Sequence, residues 1–361
     1  MNPRLRSAAS RRAAPLVGAL LASIVPWYVS AQERPPTPIA RGLYNWVHTT
    51  ADAERAFAFY RDVLGLELAR SPFVGAAAPD APPERIRPAA EAGSDPLVWD
   101  LTNTHGSRFR TVFMRAANTP FGLELAEFFD IPRETRAANP WDPGASRLRF
   151  AVRDLESIVA KLHGRASPVV TLGGRALGTT AGLAILVRDP DGYLVEIRQA
   201  TAAELARVTV EADVIDTSIG ITVAELGSAL EFYRGLLGMA VGETRLADAA
   251  ELRLNSLAGG ELRQTAVSIA GTAITVVISE FRLPAEAPPA VPFRWRIQDV
   301  GAPQFQLEVA DLEALLARTT KSGYSILSRR GRPIERPFGR FVFAIDVDGV
   351  LVEFVEPAAA R

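Results

Sequence analysis

The sequence contains no cysteine, which excludes disulfides, thiolate metal ligands and a cysteine nucleophile together. Histidine is nearly as scarce, with three in 361 residues. His48 lies an odd number of positions from Asn45 in a strand-like run and therefore faces the other way, towards the helix side. His105 sits in a Thr-His-Gly turn. His163 precedes Gly164 at a helix stop, where a cation suits the helix C-terminus. No His/Glu spacing joins the three into a ligand cluster. Lysine is confined to Lys161 and Lys321, so the positive charge is almost all arginine. There is no Gly-x-Ser-x-Gly elbow, no P-loop and no dinucleotide fingerprint opening a helix; Gly173-Gly174 and Gly259-Gly260 read as turns.

What is present begins with a leader. Arg4, Arg6, Arg11 and Arg12 form a basic head, Ala13 to Val29 is mostly apolar, and Val29-Ser30-Ala31 is a small-residue cleavage site. Residues 1–31 therefore read as a secretory signal peptide, with the mature chain starting near Gln32 and no stable membrane span after its removal. Sec and twin-arginine export both stay open. Of 40 basic and 41 acidic side chains, four basic ones leave with the leader, so the exported protein is mildly acidic. That balance argues against nucleic-acid or anionic-membrane partners, the leader implies a periplasmic or extracellular location, and oligomeric state stays undefined. Residues 32–40, with Pro35, Pro36 and Pro38, form an extended tether.

The rest of the chain repeats itself. Asp189-Pro190-Asp191-Gly192, followed by an alternating strand through Glu196, returns as Asp346-Val347-Asp348-Gly349 before Glu353. Asp154-Leu155-Glu156 recurs as Asp311-Leu312-Glu313, and each lies 42 positions before its acid. Phe59-Tyr60-Arg61 recurs as Phe232-Tyr233-Arg234, with Gly238 matching Gly65. Such in-register spacing marks repeated units of strand, helix and three strands, the first with a fourth strand after its helix. In the first, strands are expected at Leu43 to Thr49, Leu66 to Ala69, Leu97 to Leu101, Phe109 to Met114 and Leu123 to Phe128, with a helix from Asp52 to Leu64. The Ala/Pro-rich stretch Ser71 to Pro96 is either an insertion over a cavity mouth or a disordered surface loop. Tyr60 and Tyr233 fall on apolar helix stripes and belong to the core.

On these motifs the chain resembles the vicinal oxygen chelate superfamily, which includes glyoxalase I, bleomycin-resistance proteins and extradiol dioxygenases. The resemblance implies an α+β fold of four βαβββ units forming two modules, residues 41–200 and 213–357, with units one and two in the first and three and four in the second. It also implies a metal held by first-strand and last-strand side chains of each unit. Counted from the helix-opening acids, the first-strand positions are Asn45, Arg147, Ser218 and Gln304, and the last-strand positions Glu124, Glu196, Val277 and Glu353. Arginine cannot coordinate a metal, and Ser218, Gln304 and Glu353 make a weak set. The expectation is therefore a concave small-molecule site lined by these residues, with Arg147 between Glu124 and Glu196, no metal and no cofactor. A metal-dependent lyase, isomerase or ring-cleaving dioxygenase, or a metal-free catalyst with Glu196 or Glu353 as base, remains the alternative. Arg329, Arg330, Arg332, Arg336 and Arg340 form a basic loop that reads as a solvated face.

Overall fold

The computed structural model describes residues 39–72 and 85–358. The leader, most of the tether and residues 73–84 of the Ala/Pro-rich stretch lie outside the described residues.

Unit one comprises β1 (Ala40–Thr49), α1 (Ala53–Leu64), β2 (Glu67–Leu68), α2 (Pro96–Thr102), β3 (Arg108–Arg115) and β4 (Gly122–Phe129). Unit two has β5 (Ser146–Val152), α3 (Leu155–Gly164), β6 (Leu177–Thr179), β7 (Gly182–Arg188) and β8 (Leu194–Gln199), followed by the one-turn α4 (Ala202–Leu205). Unit three has β9 (Val214–Val223), α5 (Leu226–Leu230) extended by a π-helical stretch Glu231–Leu236, β10 (Ala240–Leu246), α6 (Ala249–Leu254), β11 (Glu261–Ser268) and β12 (Thr275–Arg282). Unit four has β13 (Pro303–Val309), α7 (Leu312–Lys321), β14 (Ser325–Ile326), β15 (Ile334–Arg336), β16 (Gly339–Ile345) and β17 (Leu351–Pro357).

Local chemistry explains the repeated boundaries. Asp52, Asp154 and Asp311 each accept a hydrogen bond from the backbone three residues on, which satisfies one of the free N–H groups of a helix start. Gly65 and Gly238 end their helices at φ 70° and 73°, where a side chain would clash. One expected strand is a helix: Leu97 to Leu101 lies in α2, because Asp95 caps the Leu97 N–H and Pro96 occupies the first helical position.

The strands form two sheets, and their order corrects the expected pairing of units. The first sheet runs β14-β16-β17-β13-β1-β4-β3-β2, with β15 on β16, and so combines units one and four. The second runs β10-β11-β12-β9-β5-β8-β7-β6 and combines units three and two. At each centre the first strands of two units meet antiparallel, β1 on β13 and β5 on β9. Within every unit the first and last strands pair in parallel.

A single apolar core joins both sheets and the long helices, taking in Trp46 and Phe305 from the first sheet, Leu148 and Ile219 from the second, and Phe59, Leu162, Phe232 and Leu315 from the helices. The opposite sheet faces carry the polar positions. Each is covered by a short helix: Leu101 of α2 packs with Val47, Ala126 and Phe343, and Leu254 of α6 with Ala184, Leu186 and Leu194.

Candidate functional site

On the first sheet, four of the polar positions come together. Asn45 lies across from β13 and donates to Gln306 Oε1 at 2.7 Å, with its amide 3.5 Å from Glu124 Oε2. Glu353 stands beside Gln306 in the parallel register of β17 on β13. The pairing of β1 slips by one residue between Leu43 and Trp46, a bulge that re-aims the side chains around Asn45. Gly122 makes the space: a Cβ there would collide with Asn45 Oδ1.

The electrostatics of this group are unusual. Glu124 and Glu353 are 6% and 5% exposed, and no cation contributes to the protonation equilibrium of either. Burial pushes the Glu124 carboxyl up to about 7, against hydrogen bonds from Gln306 and Asn45 that favour its charged form. Glu353 is pushed up to about 8 by burial and then by the negative charge of Glu124, again against a hydrogen bond from Gln306. Two acids, bridged by one amide, thus hold their protons near neutral pH.

The second sheet solves the same position differently. Glu196 accepts from Arg149 Nε and Nη2 at 2.9 and 2.7 Å, and from Arg147 Nη1 at 3.4 Å. Burial raises the Glu196 carboxyl, but Arg149 and Arg147 outweigh it and the net shift is downward. Arg147 also donates to Asn255 Oδ1 at 2.6 Å, beside α6. Its stem lies on Gly220, where a Cβ would come within 2.7 Å of the Arg147 Cγ. Ser218 faces Arg149 across the central pair, and Val277 occupies the place that Glu124 fills in the first sheet.

The expected site set is therefore regrouped. Glu124 and Glu196 lie in different sheets, so Arg147 pairs with Glu196 and not with Glu124. The first-strand members of units four and two are Gln306 and Arg149, two residues beyond Gln304 and Arg147, because antiparallel pairing at the centre opposes them to Asn45 and Ser218. Gln304 instead donates to Thr49 Oγ1 at 3.3 Å. Sequence reasoning misses Gln306, Arg149 and Asn255; the constant offset between units two and four is the available signal for the first two.

No histidine is among the hydrogen-bond partners of either group. His48 is fully buried on the helix side as expected, its Nε2 3.2 Å from Asp189 Oδ2 and its ring stacked 4.7 Å from Tyr193. Although His48, Asp189 and Asp191 lie close together, their acids are already served. Asp189 takes Tyr60 Oη and two turn N–H groups, and Asp191 takes Thr50, the Ala51 N–H and Arg55 at 2.9 Å. The basic loop is also more paired than sequence suggests. Arg329 reaches Asp100 at 2.9 Å and Arg336 reaches Asp95 at 2.7 Å, tying α2 to unit four, while Arg340 pairs with Glu313 and Glu356.

Comparison with known proteins gives a consistent picture. The model of the Glyoxalase/Bleomycin resistance protein/Dioxygenase superfamily matches residues 45–197 and 217–354. A search of curated protein sequences finds no match. Among solved structures, a point mutant of glyoxalase I from Zea mays superposes with a TM-score of 0.54 at 15% identity, covering 88% of this chain and 94% of that one. Glyoxalase I from Zea mays in another structure gives 0.52 at 17%, covering 87% and 92%. At such identities the likeness concerns the fold.

Proposed function

Given that the chain belongs to the Glyoxalase/Bleomycin resistance protein/Dioxygenase superfamily, we propose that it is a one-site member, whose working site is the Asn45, Glu124, Gln306 and Glu353 group. In this reading the site takes a small oxygen-rich organic molecule and carries out proton-transfer chemistry of the lyase or isomerase kind. The observation that carries it is the pair of buried carboxylates, joined through Gln306 and left without a cation. Two like charges this close are costly in a folded interior unless a proton or a cation offsets them.

The donor set fits a cation. The two carboxylates are hard ligands of the type that suits Mg²⁺ or Mn²⁺, and Gln306 and Asn45, whose amide N–H groups face the acids, would offer their oxygens after the amides turn. When bound, such an ion supplies Lewis acidity towards a substrate oxygen. The chain's own contribution is proton handling and orientation. Without an ion Glu353, pushed up to about 8, keeps its proton at neutral pH; with an ion bound it would lose that proton and become a carboxylate able to take one from a substrate carbon or oxygen. Glu124, near 7, can accept the second proton, and Gln306 and Asn45 fix the rotamers of both acids through their amides. Glu196 cannot play this part, since two arginines hold it ionised. The second site is accordingly read as structural, with guanidinium charge where the first site has only acids and amides. This departs from the expectation of no metal, which rests on the other grouping of units. The basic and apolar leader, with Val29-Ser30-Ala31, supports an exported protein.

Titration calorimetry with Mn²⁺ and Mg²⁺ tests the reading. It predicts one ion per chain, abolished by Glu353→Gln and retained by Ser218→Ala in the second sheet. No binding by the folded wild type, or binding untouched by Glu353→Gln, overturns it.

A further inference from the structure

The two Asp-x-Asp-Gly turns are copies, yet only one is electrostatically complete. At the first, Asp191 is held by Thr50, the Ala51 N–H and the Arg55 guanidinium, and Asp189 by His48 and Tyr60. The Phe-Tyr-Arg repeat aligns Thr50, Arg55 and His48 with Val223, Ser228 and Ile221, which carry no positive charge. Asp346 keeps its tyrosine, Tyr233 at 2.8 Å, and Asp348 keeps the backbone N–H of Ala224 at 3.0 Å. The second oxygen of Asp348 is buried with no hydrogen-bond partner. The acids have been retained and their cations lost.

A cavity of about 430 Å³ opens at this turn, within the size range of small-molecule sites. Asp346, Asp348, Phe293, Trp295 and Tyr324 are among the residues that line it. Phe293 and Trp295 stack on each other at 4.7 Å, and Tyr324 is braced edge-on against Phe232, so the aromatic surface is held in place. Arg294 also lines the cavity, but it is exposed, where water screens its charge; the desolvated charge belongs to the acids. Burial raises the carboxyls of both Asp346 and Asp348, as expected of acids lacking a counter-charge.

We infer that this cavity is a second ligand site, separate from the Glu124 and Glu353 group, and that it takes an organic ammonium compound with an aromatic or aliphatic body. The ammonium occupies the role that Arg55 plays at the first turn, bonded to the Asp348 oxygen that takes the Ala224 N–H, and the body lies against the aromatic residues of the cavity. A carboxylate ligand is disfavoured by the same acids.

Calorimetry on the full chain with phenethylammonium, phenylacetate and calcium chloride decides the matter. Phenethylammonium is expected to bind once per chain, with phenylacetate at least tenfold weaker. Asp348→Asn, which keeps an acceptor for the Ala224 N–H, is expected to weaken the amine at least tenfold. The double variant Val223→Thr, Ser228→Arg rebuilds the partners of the first turn and is expected to displace the amine with no loss of melting temperature. Absence of amine binding overturns the inference. So does equal binding of phenylacetate, an unchanged affinity in Asp348→Asn, or saturable calcium binding in place of the amine.

Discussion

Replacing Glu353 by glutamine removes the more strongly perturbed of the two buried acids while keeping its shape, and the structure dictates how stability responds. Glu353 titrates near 4.5 in an unfolded chain and at about 8 in the fold. Between those values the folded protein holds a proton that the unfolded chain has released, so stability falls as pH rises through the window. A tenfold difference in proton affinity between the two states corresponds to about 1.4 kcal/mol, so the penalty reaches several kcal/mol by pH 8, and Glu124 adds to it up to about 7. Glu353→Gln should therefore melt at nearly the wild-type temperature at pH 5 and above it at pH 8, flattening the pH dependence of stability. Glu124 in the variant should still titrate near 7, because burial is what raises it. Thermal unfolding across pH 5 to 8, followed by circular dichroism, provides the assay. A wild type that gains stability from pH 5 to 8, or a variant less stable than wild type at pH 8, refutes the argument, since either means that the acids are ionised and matched in the fold.

Other perturbations test neighbouring parts. Gly122→Ala presses a methyl onto Asn45 Oδ1 and should cost about 1–3 kcal/mol together with metal affinity, whereas Gly220→Ala, pressing on Arg147, should cost stability alone. Chemical denaturation and calorimetry on both variants separate the two effects. Arg149→Ala should destabilise more than Arg147→Ala in urea melts, because Arg149 makes the two close bonds to Glu196 and Arg147 one long one. Tyr233→Phe should lose about 1–2 kcal/mol from the hydrogen bond to Asp346, read from the same melts. N-terminal sequencing of protein recovered outside the cytoplasm should begin near Gln32, and recovery of full-length cytoplasmic protein alone rejects the export reading.

The parts of this fold legible in sequence are those fixed by local chemistry. Helix-opening aspartates, the stops at Gly65 and Gly238, and the Asp-x-Asp-Gly turns all act within a few residues, so the repeat betrays them. Which units share a sheet is not local: β1 meets β13 some 260 positions away, and nothing in either strand names its partner. From that one uncertainty follow the grouping of Arg147 with Glu124 and the choice of Gln304 over Gln306. Even the strand reading of Leu97 to Leu101 fails for a readable reason, since Asp95-Pro96 is a helix start placed before an apolar run. The acidic partners of Arg329 and Arg336 are hidden from sequence because they lie more than 200 positions away, Asp100 within α2 and Asp95 capping it.

The central claim is that two sheets of similar construction have divided their roles, one keeping a cation-binding acid pair and the other replacing it with arginine. Anomalous diffraction from crystals of the wild-type protein grown with Mn²⁺ addresses it most directly. One peak per chain is expected, within bonding distance of Glu124 and Glu353 and flanked by Asn45 and Gln306, and none beside Glu196. A peak at Glu196, or an ordered Glu124 and Glu353 pair with no peak at saturating Mn²⁺, contradicts it.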